Sequence, residues 1–335
     1  MSVYAAVPER SMDGSGVPAS IQDQVTAYQK KKLAGLAKLD SRLAYVVTCA
    51  PPIGFAVAMI MVALGYPVTK VEISLWLSFH ILALIGVEVG FHRLFSHRSF
   101  RAAKPVRVGL AALGSLAFQG PVIWWAATHR RHHQYSDKPG DPHSPNLQGT
   151  GFRAWWRGMF HAHMGWLFIQ ESTRAVGWDR YTPDLYKDKA IFRVHMGYFY
   201  LLALGFVLPA IIGGLIHGSW MGAFLGFLWG GLVRIFFMNH VFYWCINSVT
   251  HRLGTRPFDG NDLSTNNIWI AIPTLGQSWH NNHHAFPNSA IMTVKWWELD
   301  IGGILIRCLQ ALGLVWDVKT PTPQQIQAKR RSAAA

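Results

Sequence analysis

Nine of the sixteen histidines in this 335-residue chain fall into four clusters with the spacing of metal ligands. His92-Arg-Leu-Phe-Ser-His97 reads HxxxxH. His129-Arg-Arg-His132-His133 and His280-Asn-Asn-His283-His284 both read HxxHH, and His251 closes Asn247-Ser-Val-Thr-His251. Neutral imidazole is the commonest metal ligand and suits iron, zinc and copper. Nine ligands exceed what one ion takes and match two ions with four or five each. In a helix, residues i, i+3 and i+4 share a face. His129, His132 and His133 therefore point one way, as do His280, His283 and His284, with Pro287 ending the latter turn. His92 and His97 are about 140° apart on an ideal α-helix. The expectation is His92 on a last helical turn and His97 beyond it, where the chain bends. Asn247 lies four residues before His251, where its amide can hold a metal-bound water.

Imidazole ligands need carboxylates behind them to set their orientation. Asp137 and Asp141 follow the second box, and Asp259 and Asp262 lie between His251 and the third. Glu88 stands one turn before His92, its expected partner, because a carboxylate near the end of a span is costly unless paired. His80, His143, His161, His163, His195, His217 and His240 lie outside the boxes and are expected to be packing or hydrogen-bonding residues. Soluble di-iron bundles use glutamates with Glu-x-x-His pairs, and no such pair of motifs occurs here. A nearly all-histidine set suits iron that meets dioxygen, whereas zinc hydrolases usually use three ligands and an activating carboxylate.

The elements that position these ligands are apolar. The chain is 50% hydrophobic and only 14% charged, against about 25% charged for soluble domains. The expected architecture is all-α: an integral membrane protein with four transmembrane helices in two hairpins, and a cytoplasmic helical cap holding a dimetal site. The spans fall at about 43–66, 73–91, 196–216 and 220–240, each near the roughly 20 residues a bilayer requires. Residues 1–40 read as a flexible tail without a signal-peptide core, 41–318 as the membrane domain and 319–335 as a C-terminal tail. A fifth apolar run, Val108 to Ala127, contains Gln119, Gly120 and Pro121. Crossing there would put the first two boxes on opposite faces, so it is expected to return to the side it came from. Cys49, Cys245 and Cys308 are scattered, against a disulfide scaffold or a thiolate site. The net charge of +14, with fifteen tryptophans and no nucleic-acid-binding signature, points to a membrane surface rather than nucleic acid.

On these motifs the chain resembles the membrane fatty acid desaturases, specifically the Δ9 acyl desaturase group. The matching stretches are Gly90 to Phe100, Thr128 to Asp137, Asp141 to Pro145, His163 to Trp166, Asn247 to His251, Ser264 to Asn267 and Gly276 to Phe286. The resemblance runs from about residue 43 to 318. It implies a di-iron centre of two iron ions that uses dioxygen to place a cis double bond, at Δ9, in a saturated acyl chain. It also implies a ferredoxin-like or cytochrome b5-like electron donor with its reductase. By resemblance Gln119, Trp125 and Trp244 shape a bent acyl tunnel, and Leu84 and His80, two and three turns back from His92, close its far end. Animal acyl-CoA members carry basic and polar groups at places held here by Gly120, Pro121, Ala127, Gln170 and Glu171. That favours an acyl chain on a membrane lipid over acyl-CoA or acyl carrier protein. Histidine-box hydroxylases and ketolases are the alternative class.

Orientation follows from basic residues near the spans. Arg93, Arg98, Arg101, Lys104, Arg107, Arg130, Arg131, Arg252 and Arg256 flank the boxes, whereas the 66–72 turn offers Lys70 alone and 217–219 no Lys or Arg. The active site and both termini are therefore expected in the cytoplasm. Reporter tags at either terminus or within 143–150 should read as cytoplasmic, and a tag at 217–219 as the opposite side. An external 143–150 tag would mean that Val108 to Ala127 crosses.

Overall fold

Four helices are long and apolar enough to cross a membrane: Ser41–Ala63, Lys70–Ser96, Tyr198–His217 and Trp220–His251. The computed structural model describes residues 19–169, 173 and 178–330, with the backbone alone over 19–40. Gln170 and Glu171 lie outside the described residues, as do 1–18 and 331–335. The second and fourth spans are longer than their apolar runs suggest, because each continues through its histidine-bearing end. The first is the end of one helix, Ala19–Ala63. The expected tail is thus helical from residue 19, and the lysine-rich stretch lies within that helix.

The turns at the far ends are defined by local chemistry. Thr69 and Glu72 form a reciprocal cap on the second span. Gly218 takes the left-handed conformation that ends the third span, and Ser219 caps the fourth through the Gly222 N–H. The His217 Nε2 lies 2.9 Å from Glu72 Oε1, tying the two turns together.

Val108 to Ala127 does not form one long helix. It divides into Lys104–Ser115 and Val122–Tyr135, which carries the second box. Left-handed Phe118 and Gly120, followed by Pro121, break it. A broken backbone in an apolar setting needs partners for its carbonyls. The fourth span supplies them: Arg234 donates to the Leu116 carbonyl at 3.0 Å and Asn239 to that of Ala117 at 3.2 Å. The buried guanidinium thereby sits at a helix C-terminus, where positive charge is favoured.

The upper second span departs from α-helical geometry. Gly86–Ser96 winds as a π-helix, and the His97 N–H donates to the His92 carbonyl five residues back, at 3.1 Å. Such wide turns are rare and concentrate at functional sites. Here the winding returns His97 to the face of His92, with ring centroids 4.8 Å apart. The α-helical separation expected from sequence is removed inside the span rather than by a bend after it. The wide turn packs on Lys104–Ser115 through backbone: a Cβ on Gly86 would lie 1.9 Å from the Gly114 nitrogen.

Two expectations from charge and length differ from the structure. Arg93 is wholly buried and cannot act as a surface charge. It donates to Glu88 and Asp300, with contacts of 2.7–3.0 Å, and to the Ala290 carbonyl at 2.8 Å. Nor is 319–330 a free tail. Val315–Trp316 pairs antiparallel with Arg101–Ala102, the Lys319 N–H donates to the Ser99 carbonyl, and Lys329 donates to the Ala285 carbonyl at 2.6 Å. The segment straps the first box to the third.

Replacing Gly86 by Ala should lower thermal stability in detergent by at least the ~1–3 kcal/mol typical of overpacking, since backbone rather than a movable side chain opposes the methyl. An unchanged melting temperature would show that the two helices can separate freely.

Candidate metal centre

Helix Val122–Tyr135 presents the second box, and helix His280–Ala285 the third. The latter is too short to hold itself together. Asn266 Oδ1 accepts from the N–H groups of Asn281 and Asn282 at 2.9 and 3.1 Å, capping it from the Ser264-to-Asn267 stretch. Asn282 is anchored in turn to Glu298 Oε2 at 2.9 Å and the Met292 carbonyl at 2.9 Å. His251 stands at the end of the fourth span.

The nine histidines converge as two groups. His92, His97, His129, His133 and His283 form one, and His132, His251, His280 and His284 the other; within each, the potential ligand atoms all lie within 4.8 Å of one another. Their Nε2 atoms face inward. The separations are 2.8 Å for His97 and His129, 2.9 Å for His133 and His283, and 3.2 Å for His92 and His283. In the second group they are 3.0 Å for His251 and His280 and 3.1 Å for His280 and His284. Two nitrogens about 2.1 Å from a shared ion at right angles would lie about 3.0 Å apart. His132 Nε2 is buried with no hydrogen-bond partner. An all-imidazole donor set aimed inward fits two transition-metal ions.

Carboxylates hold the outer nitrogens. His132 Nδ1 contacts Asp141 at 3.0 Å, His251 Nδ1 contacts Asp137 at 2.9 Å and His284 Nδ1 contacts Asp262 at 3.0 Å. Each selects the tautomer that leaves Nε2 free. Asp137 is shared, also accepting from Ser144, Asn146 and the Leu263 N–H. Glu88 divides itself: Oε1 accepts from Arg93, while Oε2 lies 3.5 Å from His92 Nδ1. Asp259, the other acidic candidate, is exposed, and its N–H donates to the Lys329 carbonyl.

Burial, reinforced by neighbouring imidazoles, holds the pKa values of His97, His129, His133, His280 and His283 well below the usual histidine value. That of His284 falls to about 4, burial outweighing the help of Asp262. His132 is the exception: burial opposes its charge, but Asp141 overcomes this and raises its pKa. Burial also opposes the Asp137, Asp141 and Asp262 charges, and their histidine partners outweigh it, leaving all three well below the usual carboxylate range. Neutral rings beside ionised carboxylates are what a metal needs.

The remaining sequence candidates separate. Trp125 stacks on His129, centroids 5.0 Å apart, and donates to Gln119 Oε1 at 3.2 Å. Gln119 donates to Asn239 at 2.9 Å. Trp244 packs instead against His240 and His163, 4.4 and 5.9 Å away. Leu84 is buried with Val87, Met238, Tyr243 and Leu275, and His80 stacks on Trp76. Asn247 is half-buried, with no hydrogen bond to another described residue holding its amide.

Sequence reasoning missed Gln277, Asp300, Asn239 and His143. The Gln277 amide, with its nitrogen turned inward, donates to Glu88 Oε2 at 2.8 Å. His143 stacks on His132 at 4.4 Å. His195, expected to pack or hydrogen-bond outside the boxes, accepts from the Ile123 N–H at 3.4 Å, in the first turn of the second-box helix. The Gly276–Phe286 and Asp141–Pro145 matches contain Gln277 and His143, whereas nothing in the sequence singles out Asn239 or Asp300.

Fold and site together define a membrane protein with a paired histidine metal-binding centre. A family model for fatty acid desaturases matches residues 73–302. The chain is 49% identical over 282 residues to a hex-5-enoyl-[acyl-carrier protein] acetylenase of Moorena producens (strain JHB), covering 84% of this chain and 86% of that one. It is 39% identical over 243 residues to an sn-1 stearoyl-lipid 9-desaturase of Anabaena variabilis, covering 72% and 81%. A probable acyl-CoA desaturase of Schizosaccharomyces pombe is 34% identical over 244 residues, 72% of this chain; the match spans about half (48%) of that protein. The chain belongs to the fatty acid desaturase family, and it is an oxidoreductase of fatty acyl chains.

Metal analysis should find about two ions per chain, and Ala at any of the nine histidines should lower that number; His217→Ala, at the far turn, should leave it unchanged. Acid should destabilise the metal-free protein. Six histidines with depressed pKa values stay neutral in the fold but gain protons when unfolded below about pH 6.5. Their stabilisation is therefore complete above that pH and is lost as pH falls. His132 works in the opposite sense, losing its contribution as pH rises, but it is outnumbered. The melting temperature should fall between pH 7.5 and 5; a rise would mean that the rings are already charged at neutral pH.

Proposed function

We propose that this chain is a di-iron, dioxygen-dependent desaturase that introduces a cis double bond, at Δ9, into a saturated acyl chain. The observation that carries this reading is the division of nine inward-facing imidazoles into sets of five and four. His92, His97, His129, His133 and His283 would hold one iron, and His132, His251, His280 and His284 the other, with Asn247 retaining a water at the four-histidine site. Two irons held there would supply, from dioxygen and two external electrons, the oxidising power that removal of two hydrogens from an unactivated chain requires. The electrons come from a ferredoxin-like or cytochrome b5-like protein with its reductase.

The chain's own residues position and protect. Asp137, Asp141, Asp262 and Glu88 keep the rings oriented. Trp125, held by Gln119 and through it by Asn239, makes a rigid apolar wall against His129, suited to bending an acyl chain and keeping water away. The four spans form two hairpins, and the domain from 41 onward carries its site and both termini on the cytoplasmic side. The Anabaena relative supports an acyl chain esterified to a membrane lipid as substrate. A second reading, a shorter chain on acyl carrier protein, is favoured by the Moorena relative. Expression in a host lacking its own desaturase, followed by location of double and triple bonds in each lipid class and in the carrier-bound pool, separates the two. An iron-free preparation with full turnover would overturn the di-iron reading.

Leu84, buried beside Tyr243 and Met238, fills the space two turns below His92. Sixteen-carbon chains should be preferred over eighteen, and Leu84→Ala should move products toward longer chains with metal content unchanged. An unaltered chain-length profile would place the tunnel floor elsewhere.

A further inference from the structure

From Leu263 to Val294 the chain carries no Lys, Arg, Asp or Glu, although this stretch belongs to none of the four spans. Within it, Ile268 to Gly276 folds as consecutive tight turns with a sharply divided surface. Ile268, Trp269 and Ile272 are 56, 87 and 64% exposed, while Ala271, Thr274 and Leu275 are buried. The buried side touches the second span far below the metal centre. The Pro273 carbonyl faces the His80 imidazole, and Leu275 packs with Leu84 and Val87. His80 precedes His92 by twelve residues, about 16–18 Å along the helix at roughly 1.5 Å per residue. It is the eleventh residue of the 27-residue span Lys70–Ser96. Leu77, Ile81 and Leu82 beside it are exposed, as lipid-facing side chains are.

Backbone at that depth must satisfy its own polar groups. The Ala271, Leu275, Gly276 and Gln277 N–H groups donate to the carbonyls of Ile268, Ile272, Ala271 and Thr274. The Trp269 N–H donates to the Asn267 side chain, the Gly302 N–H to the Leu275 carbonyl, and the Thr274 hydroxyl to the Ile270 carbonyl. Pro273 has no N–H to satisfy. The geometry points to Ile268–Gly276 as a re-entrant loop immersed in the bilayer, presenting Ile268, Trp269 and Ile272 to lipid acyl chains. A single layer of polypeptide then separates the leaflet from Leu84. The same strand of chain continues directly into Gln277 and the third histidine box, so the loop seats that box on the membrane. This inference rests on the membrane reading of the four spans, and the experiment tests the two separately.

The full-length protein, with Cys49, Cys245 and Cys308 replaced by Ser, is labelled with bimane at Trp269→Cys or Ile272→Cys in phosphatidylcholine nanodiscs. Leu77→Cys reports the span surface and Lys138→Cys the aqueous side. Metal content confirms that each variant is folded. With acyl-brominated phosphatidylcholine, labels at 269 and 272 should be quenched as strongly as that at 77, with no quenching at 138. Quenching at 77 but not at 269 or 272 would overturn the loop while leaving the spans intact. Absence of quenching at 77 as well would overturn both.

Discussion

Nine imidazoles with their Nε2 atoms turned toward one another leave polar atoms without hydrogen-bond partners in a largely buried space, so the surrounding protein must force the arrangement. The rest of the structure answers to that requirement. Asp137, Asp141 and Asp262 engage the outer nitrogens of three rings, whereas those of His280 and His283 are buried without a partner. Those carboxylates need donors of their own, which brings in Ser144, Asn146 and the backbone around 137, 143 and 263. Glu88 is drawn into a fully buried assembly with Arg93 and Asp300. A buried cation between two carboxylates contributes little net stability, but losing one partner costs about 3–5 kcal/mol. Its value here is geometric: it fastens the second span to the segment that precedes helix Ile301–Ala311.

The two ligand groups are unequally supported. Three of the four rings in the smaller group have a carboxylate at Nδ1 within about 3 Å; in the larger group only His92 has one near, at 3.5 Å and shared with Arg93. The smaller set therefore offers more electron-rich nitrogens, offsetting the missing fifth ring, whereas the larger depends on number.

Much of the site was legible because metal ligands are chosen by residue type and local spacing. HxxHH at 129–133 and 280–284 needs only a helical turn, and both are helical. The apolar runs likewise revealed the spans. The π-winding at Gly86–Ser96 was not legible, since no residue in it is diagnostic and its cause is tertiary: close backbone contact with Gly114 and ligands that must share a face. Arg93 read as a surface charge because burial of a cation depends on Asp300, 207 residues away in sequence. Lys329 read as tail for the same reason, its partner Ala285 lying on the third-box helix. Gln277 and Asn239 act through hydrogen bonds to residues distant in sequence, which leave no periodic signature.

The second and fourth spans run for 27 and 32 residues, about 40 and 48 Å if wholly α-helical, against a hydrocarbon thickness of about 30 Å. They overshoot the bilayer, and His92, His97 and His251 ride at or beside the projecting ends. The first and third spans, 23 and 20 residues long, do not. The ligands are thus mounted on two posts braced below by lipid and above by the C-terminal strap. Thickening or thinning of the bilayer moves the headgroup plane along the posts. It does not change the spacing of the posts, so metal geometry belongs to the polypeptide, while the height of the centre relative to the lipid belongs to the membrane.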